Sequence, residues 1–280
     1  MLRTLSLCAA LLLANGALAQ PSVQASDLAQ RVWRVMEMEQ MMPILRDEAL
    51  AESEGMAEML FLDGGTDVWR DQVGAIHDPL RMQEMFVEGM EKAAPSMNGD
   101  RIEDALDFYE TDLGKRIMGL EVSSRIAFLD KAVEQDARDT YAREAGIGSP
   151  LAGQIDRLIE AGDLVDPNVV GALNAVIAFS NGFNDGGGYP MPMSEDQILS
   201  DAWAQEPQVR QDTVDWMSAY LMLTYSPLSD DEMEEFIDFA QTEQAMALAG
   251  LLFAGFDHAF RQTSYELGLA AAGQLGGRKL

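Results

Sequence analysis

Apolar side chains recur along this chain at the spacing of an α-helix, and this periodicity restricts the fold more than any other feature of the sequence. One helical face between residues 100 and 113 carries five of them, namely Ile102, Ala105, Leu106, Tyr109 and Leu113. The strand-favouring residues Val, Ile and Thr are scattered and do not alternate with polar ones. The pattern therefore predicts an all-α fold.

Capping and helix-breaking residues divide the pattern into segments. Asp78-Pro79 and Asp166-Pro167 each combine an N-cap residue with a proline in the first turn of a helix. Glycine and proline near residues 146–150 and 182–192 end helices. We predict helices at 27–42, 43–62, 66–76, 79–94, 100–112, 114–145, 151–162, 167–181, 194–205, 207–225, 230–241 and 243–272.

The second half of the chain resembles the first. At an offset of 131 residues, seven of the 21 positions from 100 to 120 are identical: Asp100/Asp231, Glu103/Glu234, Asp107/Asp238, Phe108/Phe239, Thr111/Thr242, Gly119/Gly250 and Leu120/Leu251. A shorter match pairs residues 67–69 with residues 201–203. Because repeated units usually bury their apolar faces against each other, we predict two similar multi-helix halves packed into one helical array. The first repeat would span 20–146 and the second 150–275, with an irregular loop at 182–193.

Residues 100–115 also carry a recognisable motif. They read Asp-Arg-Ile-Glu-Asp-Ala-Leu-Asp-Phe-Tyr-Glu-Thr-Asp-Leu-Gly-Lys, which resembles the signature of domain-of-unknown-function family 2059. The second repeat departs from this motif, since Ala240 replaces Tyr109 and Ala245 replaces Gly114. The resemblance implies an exported bacterial protein with a helical module and no known activity, so it transfers no catalytic residue.

We interpret the motif residues as structural. Phe108 and Phe239 lie just before a helix break, Thr111 and Thr242 have the character of caps for the following helix, and Gly114 permits a turn or a close approach of two helices. Gly119 and Gly250 are expected to be close-contact points between helices. The complete set comprises Phe108, Tyr109, Thr111, Gly114, Phe239, Thr242 and Gly250.

Residues 1–19 have the pattern of a secretory signal. Arg3 precedes an apolar run, and Ala17-Leu18-Ala19 forms a small-x-small cleavage site before Gln20. This predicts a periplasmic or secreted protein. Cys8 raises the alternative of a lipoprotein, but the residue before it is Leu rather than a small one. Since Cys8 is the only cysteine, the processed chain has no thiol for nucleophilic, zinc or iron–sulfur chemistry.

The charge of the chain excludes two classes of partner. Its 47 Asp and Glu against 19 Lys and Arg give a formal net charge of −28, without a basic stretch. Nucleic acids and anionic membranes both require the opposite charge. No apolar run after the signal is long enough for a membrane span. We therefore expect an unknown protein or a small ligand as the partner, and the oligomeric state stays open.

The residues that could carry catalysis do not form a known pattern. The two histidines, His77 and His258, do not align in the repeat, and neither belongs to a zinc-binding motif. The chain lacks the Gly-x-Ser-x-Gly and Ser-x-x-Lys signatures of serine enzymes. We predict a non-enzymatic binding or interaction module without a cofactor, which uses a groove between the two halves that can include the 182–193 loop.

The alternative is an envelope metal-handling protein that uses methionine clusters or carboxylates. Thioethers suit copper(I), and the oxygen ligands of residues 181–186 could serve a weak calcium site. Most methionines fall on apolar helical faces, however, where they fill gaps in the packing. The clusters are Met36/Met38/Met41/Met42, Met56/Met59, Met82/Met85 and Met191/Met193.

Overall fold

The structure, a computed structural model, describes residues 23–61 and 67–276, and these ranges are helical without any strand. This confirms the predicted all-α class. The predicted signal at 1–19 lies outside the described residues. No described helix combines the length and the apolar character that crossing a bilayer would require.

The helices are α1 (Val23–Val35), α2 (Met38–Leu60), α3 (Asp67–Ile76), α4 (Pro79–Ala93), α5 (Gly99–Tyr109), α6 (Asp112–Ala127), α7 (Lys131–Gly146), α8 (Pro150–Ala161), α9 (Val165–Asp185), α10 (Glu195–Trp203), α11 (Glu206–Tyr225), α12 (Asp230–Ala240) and α13 (Glu243–Gly276), with a 3₁₀ turn at Ala94–Ser96.

Side-chain caps set several of the helix starts. The Asp78 carboxylate accepts hydrogen bonds from the first backbone N–H groups of α4, which confirms the cap predicted from Asp78-Pro79. Ser194 and Ser229 each form a complete capping box, with Gln197 and Glu232 respectively. These caps satisfy N–H groups that the helix itself leaves unbonded.

Two predicted helix boundaries in the first half are wrong. The chain breaks before Met38 rather than at Pro43, because Glu37 adopts a left-handed conformation with φ of 52°. Pro43 lies inside α2. The single helix predicted at 114–145 is divided near Phe128, and the Asp130 carboxylate accepts from the backbone N–H of Ala132 to start α7.

The boundaries of α9 also differ from the prediction. This helix begins at Val165, so Asp166 is not its N-cap but accepts from Arg210 at 2.6 Å. It continues to Asp185, so it includes the first four residues of the predicted irregular loop. Since Gly182 lies within the helix, the irregular segment starts only at Gly186.

The apolar cores join helices from both halves. One core gathers α1, α2, α4, α5 and α6, and α13 completes it with Leu248, Leu251 and Ala259. A second core gathers α7, α8, α11 and α12, to which α6 contributes Ile117. The halves therefore share their cores, because α13 packs into the first and α6 into the second.

Several contacts recur in the two halves. The connection before α2 and the connection before α9 each contain a left-handed non-glycine residue, Glu37 and Asp163. Helices α1 and α5 are joined by an Arg31–Glu103 ion pair, and helices α8 and α12 by an Arg157 ion pair with Glu234, the residue that matches Glu103 at the 131-residue offset. Duplication of the chain would produce this correspondence, and it stays a prediction.

The shorter sequence match, of residues 67–69 with residues 201–203, does not correspond in the structure. Trp69 lies at the start of α3 and is only 2% exposed, whereas Trp203 is the last residue of α10 and is 55% exposed. The two tryptophans that the sequence comparison paired therefore occupy opposite helix ends and different environments.

Candidate functional site

A cleft of about 470 Å³ lies between α4 of the first half and α13 of the second. Side chains three, four or seven residues apart share one face of a helix, so each helix directs a polar row into the cleft. The α4 row is dominated by charged groups, whereas the α13 row combines a histidine and a glutamine with one carboxylate. The lining consists of Arg81, Glu84, Met85, Glu88 and Lys92 on α4, and of His258, Gln262 and Glu266 on α13.

Two glycines let these helices approach closely. A Cβ atom on Gly89 would lie 2.7 Å from the carbonyl oxygen of Ala254, and one on Gly255 would lie 2.8 Å from the ring of Phe86. A larger residue at either position would push α4 and α13 apart. The crossing at Gly89 and Gly255 therefore holds the two polar rows beside each other.

Glu88 pairs with one cationic side chain of its own helix and with the histidine of the opposite wall. It accepts a hydrogen bond from Lys92 Nζ at 2.7 Å, and its second oxygen lies 3.3 Å from His258 Nε2. The Lys92 hydrogen bond, followed by the one with His258, lowers the pKa of Glu88. Glu84, one turn earlier, is exposed and has no ion pair among the described residues. The cleft thus contains one carboxylate whose charge no described cation balances.

Arg81 closes one end of the cleft. Its Nη2 donates to both carboxylate oxygens of Glu266 at 2.9 Å, and its Nη1 donates to the carbonyl oxygens of Ala75 and Ile76 at 3.1 Å. These carbonyls belong to the last turn of α3. Arg81 therefore links the end of α3 to α13 and is already occupied by partners of this chain.

The two histidines have different surroundings. His258 lies in the cleft beside an acid of the first half, an arrangement that sequence spacing alone did not indicate. The Nδ1 of His77 donates to the carbonyl oxygen of Val73 at 3.0 Å, and burial lowers the pKa of His77. His77 does not line the cleft.

The 182–193 segment, which was expected to contribute to a groove, does not line this cleft. Its polar side chains bind within the chain instead. The amide oxygen of Asn184 accepts from the backbone N–H of Met193 at 2.8 Å, and Asp185 accepts from the hydroxyl of Tyr265 at 2.9 Å. Two of the side chains considered for a weak calcium site, those of Asn184 and Asp185, are therefore engaged in holding this segment.

The aromatic motif residues meet across the two halves. The rings of Phe108 and Phe239 stack with centroids 3.8 Å apart and an interplanar angle of 8°. Tyr109 contacts both rings edge-on, at 5.5 and 5.6 Å. None of these residues lines the α4–α13 cleft, and their contacts are those of packing.

The two threonines of the motif act as matching caps. Thr111 accepts from the backbone N–H of Gly114, and Thr242 from that of Ala245, both at 3.1 Å. Gly114 is needed for close approach, because a Cβ there would lie 2.2 Å from the carbonyl oxygen of Phe108.

The predicted role of two other glycines is wrong. A Cβ on Gly119 would meet no atom within 4 Å, and one on Gly250 would meet only the Met97 side chain at 3.8 Å. Neither glycine is therefore a close-contact point between helices. Gly250 instead lines a shallower cleft of about 350 Å³ with Met97 and Met246.

A polar group that sequence analysis missed is buried between α6 and α11. The carboxylate of Glu121 accepts hydrogen bonds from the hydroxyls of Tyr220 and Tyr225. Burial raises the pKa of Glu121, and the two tyrosine hydrogen bonds offset only part of this effect. The available signal was an acid four residues after Ile117, within the apolar row of α6. These hydrogen bonds link α6 of the first half to α11 of the second half in the interior of the protein.

One turn after Glu121, Arg125 extends the same polar group. Its guanidinium forms a two-point ion pair with Glu48 of α2 and lies 5.1 Å from the ring centroid of Trp216. Arg125 therefore connects α2, α6 and α11. Because all its strong partners belong to the chain, this cluster is a link between helices rather than an open site.

Metal ligands are not gathered in the part of the chain that the structure describes. Within residues 23–61 and 67–276, no group of three or more His, Cys, Asp or Glu could hold a metal ion. Most methionines of these ranges are core residues. Eleven of them are buried: Met36, Met38, Met41, Met42, Met82, Met85, Met90, Met118, Met217, Met222 and Met233.

Comparison with protein-family models, with curated proteins and with solved structures finds no match to this chain. The resemblance of residues 100–115 to domain-of-unknown-function family 2059 therefore stays a prediction. Any function must be argued from the geometry of the molecule itself.

Proposed function

We propose that this protein is an exported, non-enzymatic binding module that takes a small polar ligand bearing an amino group into the cleft between α4 and α13. The observation that carries the proposal is a cleft of about 470 Å³ with polar rows on both walls and one carboxylate, Glu84, without an ion pair among the described residues. The signal-like pattern of residues 1–19 supports export.

An amino group suits this cleft for two electrostatic reasons. Glu84 offers an unpaired carboxylate, and Glu88 has a lowered pKa and so keeps its negative charge. The net charge of −28 also attracts cations over a longer range. Arg81 and Lys92 are each held by a carboxylate, which leaves the binding of a cation as the main unsatisfied interaction.

The composition of the lining favours binding over catalysis. Its residues include the His258–Glu88 pair but no Ser, Thr or Cys that could act as a nucleophile. The alternative of an envelope metal-handling protein has less support, because the largest methionine cluster, residues 36–42, is packed in a core.

Isothermal titration with putrescine, a simple diamine, tests the proposal. We expect saturable binding to the wild-type protein and a loss of roughly tenfold in affinity for Glu84→Gln, since a charge-assisted hydrogen bond contributes about 1.5–3 kcal/mol. Glu58→Gln is the matched control, because Glu58 is an exposed acid on α2 outside the cleft. Succinate serves as the anionic control ligand.

The control variant decides between a site and general attraction to an acidic surface. If Glu58→Gln weakens putrescine binding as much as Glu84→Gln does, or if the wild-type protein binds no putrescine, the proposal is wrong. Binding of succinate with equal affinity would also contradict it.

A further inference from the structure

Helix α10 exposes one apolar face to solvent. Leu199 and Trp203 are 45% and 55% exposed, and because they are four residues apart they lie on the same side of the helix. Ile198 and Ala202 are buried and pack the adjacent face of α10 into the molecule, where it contacts α9. Exposed tryptophan beside exposed leucine is typical of a surface that another molecule covers.

The stretch of sequence that contains α10 is acidic and has no cation. From residue 158 to residue 209 the sequence has no Lys, Arg or His, while it has eight acids: Glu160, Asp163, Asp166, Asp185, Glu195, Asp196, Asp201 and Glu206. The next cation, Arg210, is held by Asp166 and Glu206. On α10 itself, Glu195, Asp196 and Asp201 are exposed and have no ion pair among the described residues.

We infer that α10 is a docking surface for a basic amphipathic helix of a partner protein. Apolar side chains of that helix would cover Leu199 and Trp203, and its Lys or Arg side chains would meet the carboxylates of Glu195, Asp196 and Asp201. Apolar burial around a tryptophan supplies most of the affinity in such contacts, and complementary charge supplies orientation and a fast encounter.

Charge complementarity selects this occupant over the others. A second copy would bring the same acidic face against itself, and like charges in contact are unfavourable. An anionic lipid surface would be repelled for the same reason. The inference is independent of the proposed ligand site, because α10 contributes no residue to the α4–α13 cleft.

The test uses a labelled synthetic peptide of about 14 residues, made of Leu and Lys with the leucines at helical spacing. Fluorescence anisotropy should show saturable binding to the wild-type protein that falls at least tenfold in both Trp203→Ser and Leu199→Ser. Ile147→Ser is the matched control, since Ile147 is an apolar residue 74% exposed outside α10, and it should bind as the wild type does. A peptide with Glu in place of Lys should not bind. Circular dichroism melts of each variant establish that it is folded.

Three results would overturn the inference. Equal peptide affinity of the wild type and Trp203→Ser would mean that charge alone attracts the peptide. Self-association in sedimentation that Trp203→Ser abolishes would assign the face to a second copy. Binding to phosphatidylcholine vesicles that the same variant abolishes would assign it to a lipid surface.

Discussion

Among single residues, Glu121 shows most directly how burial changes the chemistry of a side chain. Its carboxylate lies between α6 and α11 with two tyrosine hydroxyls as donors, yet burial still raises its pKa above the ordinary value of 4.5. A raised pKa in the folded state means that folding favours the protonated acid. The stabilisation is present below pH 4.5 and is lost as the pH rises through the raised pKa.

We predict that Glu121→Gln will weaken the dependence of stability on pH. The amide cannot ionise, so its free energy of unfolding should exceed that of the wild type increasingly as the pH rises from about 4.5. The gain should be about 1.4 kcal/mol for each unit by which the pKa is raised. Urea unfolding at a series of pH values measures this gain. If the free energy of unfolding of the two proteins changes in parallel with pH, the account is contradicted.

A surface acid with the opposite shift provides the control. Hydrogen bonds from Arg157, and then from Gln154, lower the pKa of Glu234 to about 2. Its contribution to stability is therefore present above the ordinary carboxyl pKa and lost as the pH falls toward 2. Wild type should therefore have a higher free energy of unfolding than Glu234→Gln near neutral pH, and it should lose this advantage as the pH falls. For Glu121→Gln the order is reversed: the variant has the higher free energy of unfolding near neutral pH, and the wild type approaches it as the pH falls.

At the scale of helices, the junction between α5 and α6 depends on Gly114. We predict that Gly114→Ala will lower the free energy of unfolding by at least about 2 kcal/mol, because the new methyl group would lie 2.2 Å from the carbonyl oxygen of Phe108 and backbone cannot yield as a side chain can. Chemical denaturation measures the change.

Gly119, in the same helix, supplies the matched substitution. It is exposed and has open space around it, so Gly119→Ala should stabilise the protein by about 0.5–1 kcal/mol through helix propensity. If both alanine variants change stability equally, close approach at Gly114 is not the reason for the glycine.

At this scale, the features that the sequence predicts correctly are those that depend only on neighbouring residues. Asp78 and Thr111 were recognised as caps, because a cap needs only its own helix start. Glu37 gives no such signal, since a left-handed conformation is uncommon for glutamate, so the boundary predicted between residues 42 and 43 is wrong. The polar rows of the cleft are regularly spaced in the sequence, but nothing local indicates that α4 packs against α13.

At the scale of the whole molecule, the halves are interlocked. The core of the first half includes Leu248, Leu251 and Ala259 from α13, and the core of the second includes Ile117 from α6. The α4–α13 cleft also needs a helix from each half. The predicted ligand site therefore exists only when the two halves are folded together.

The measurement that tests this account most directly is the thermal unfolding of the fragments 20–146 and 150–276, each alone and as an equimolar mixture, followed by circular dichroism. Each fragment alone lacks a helix that completes its core, so we predict that neither unfolds cooperatively and that the mixture recovers a cooperative transition. A cooperative transition of fragment 20–146 alone, with the helical content of the same residues in the intact protein, would contradict it.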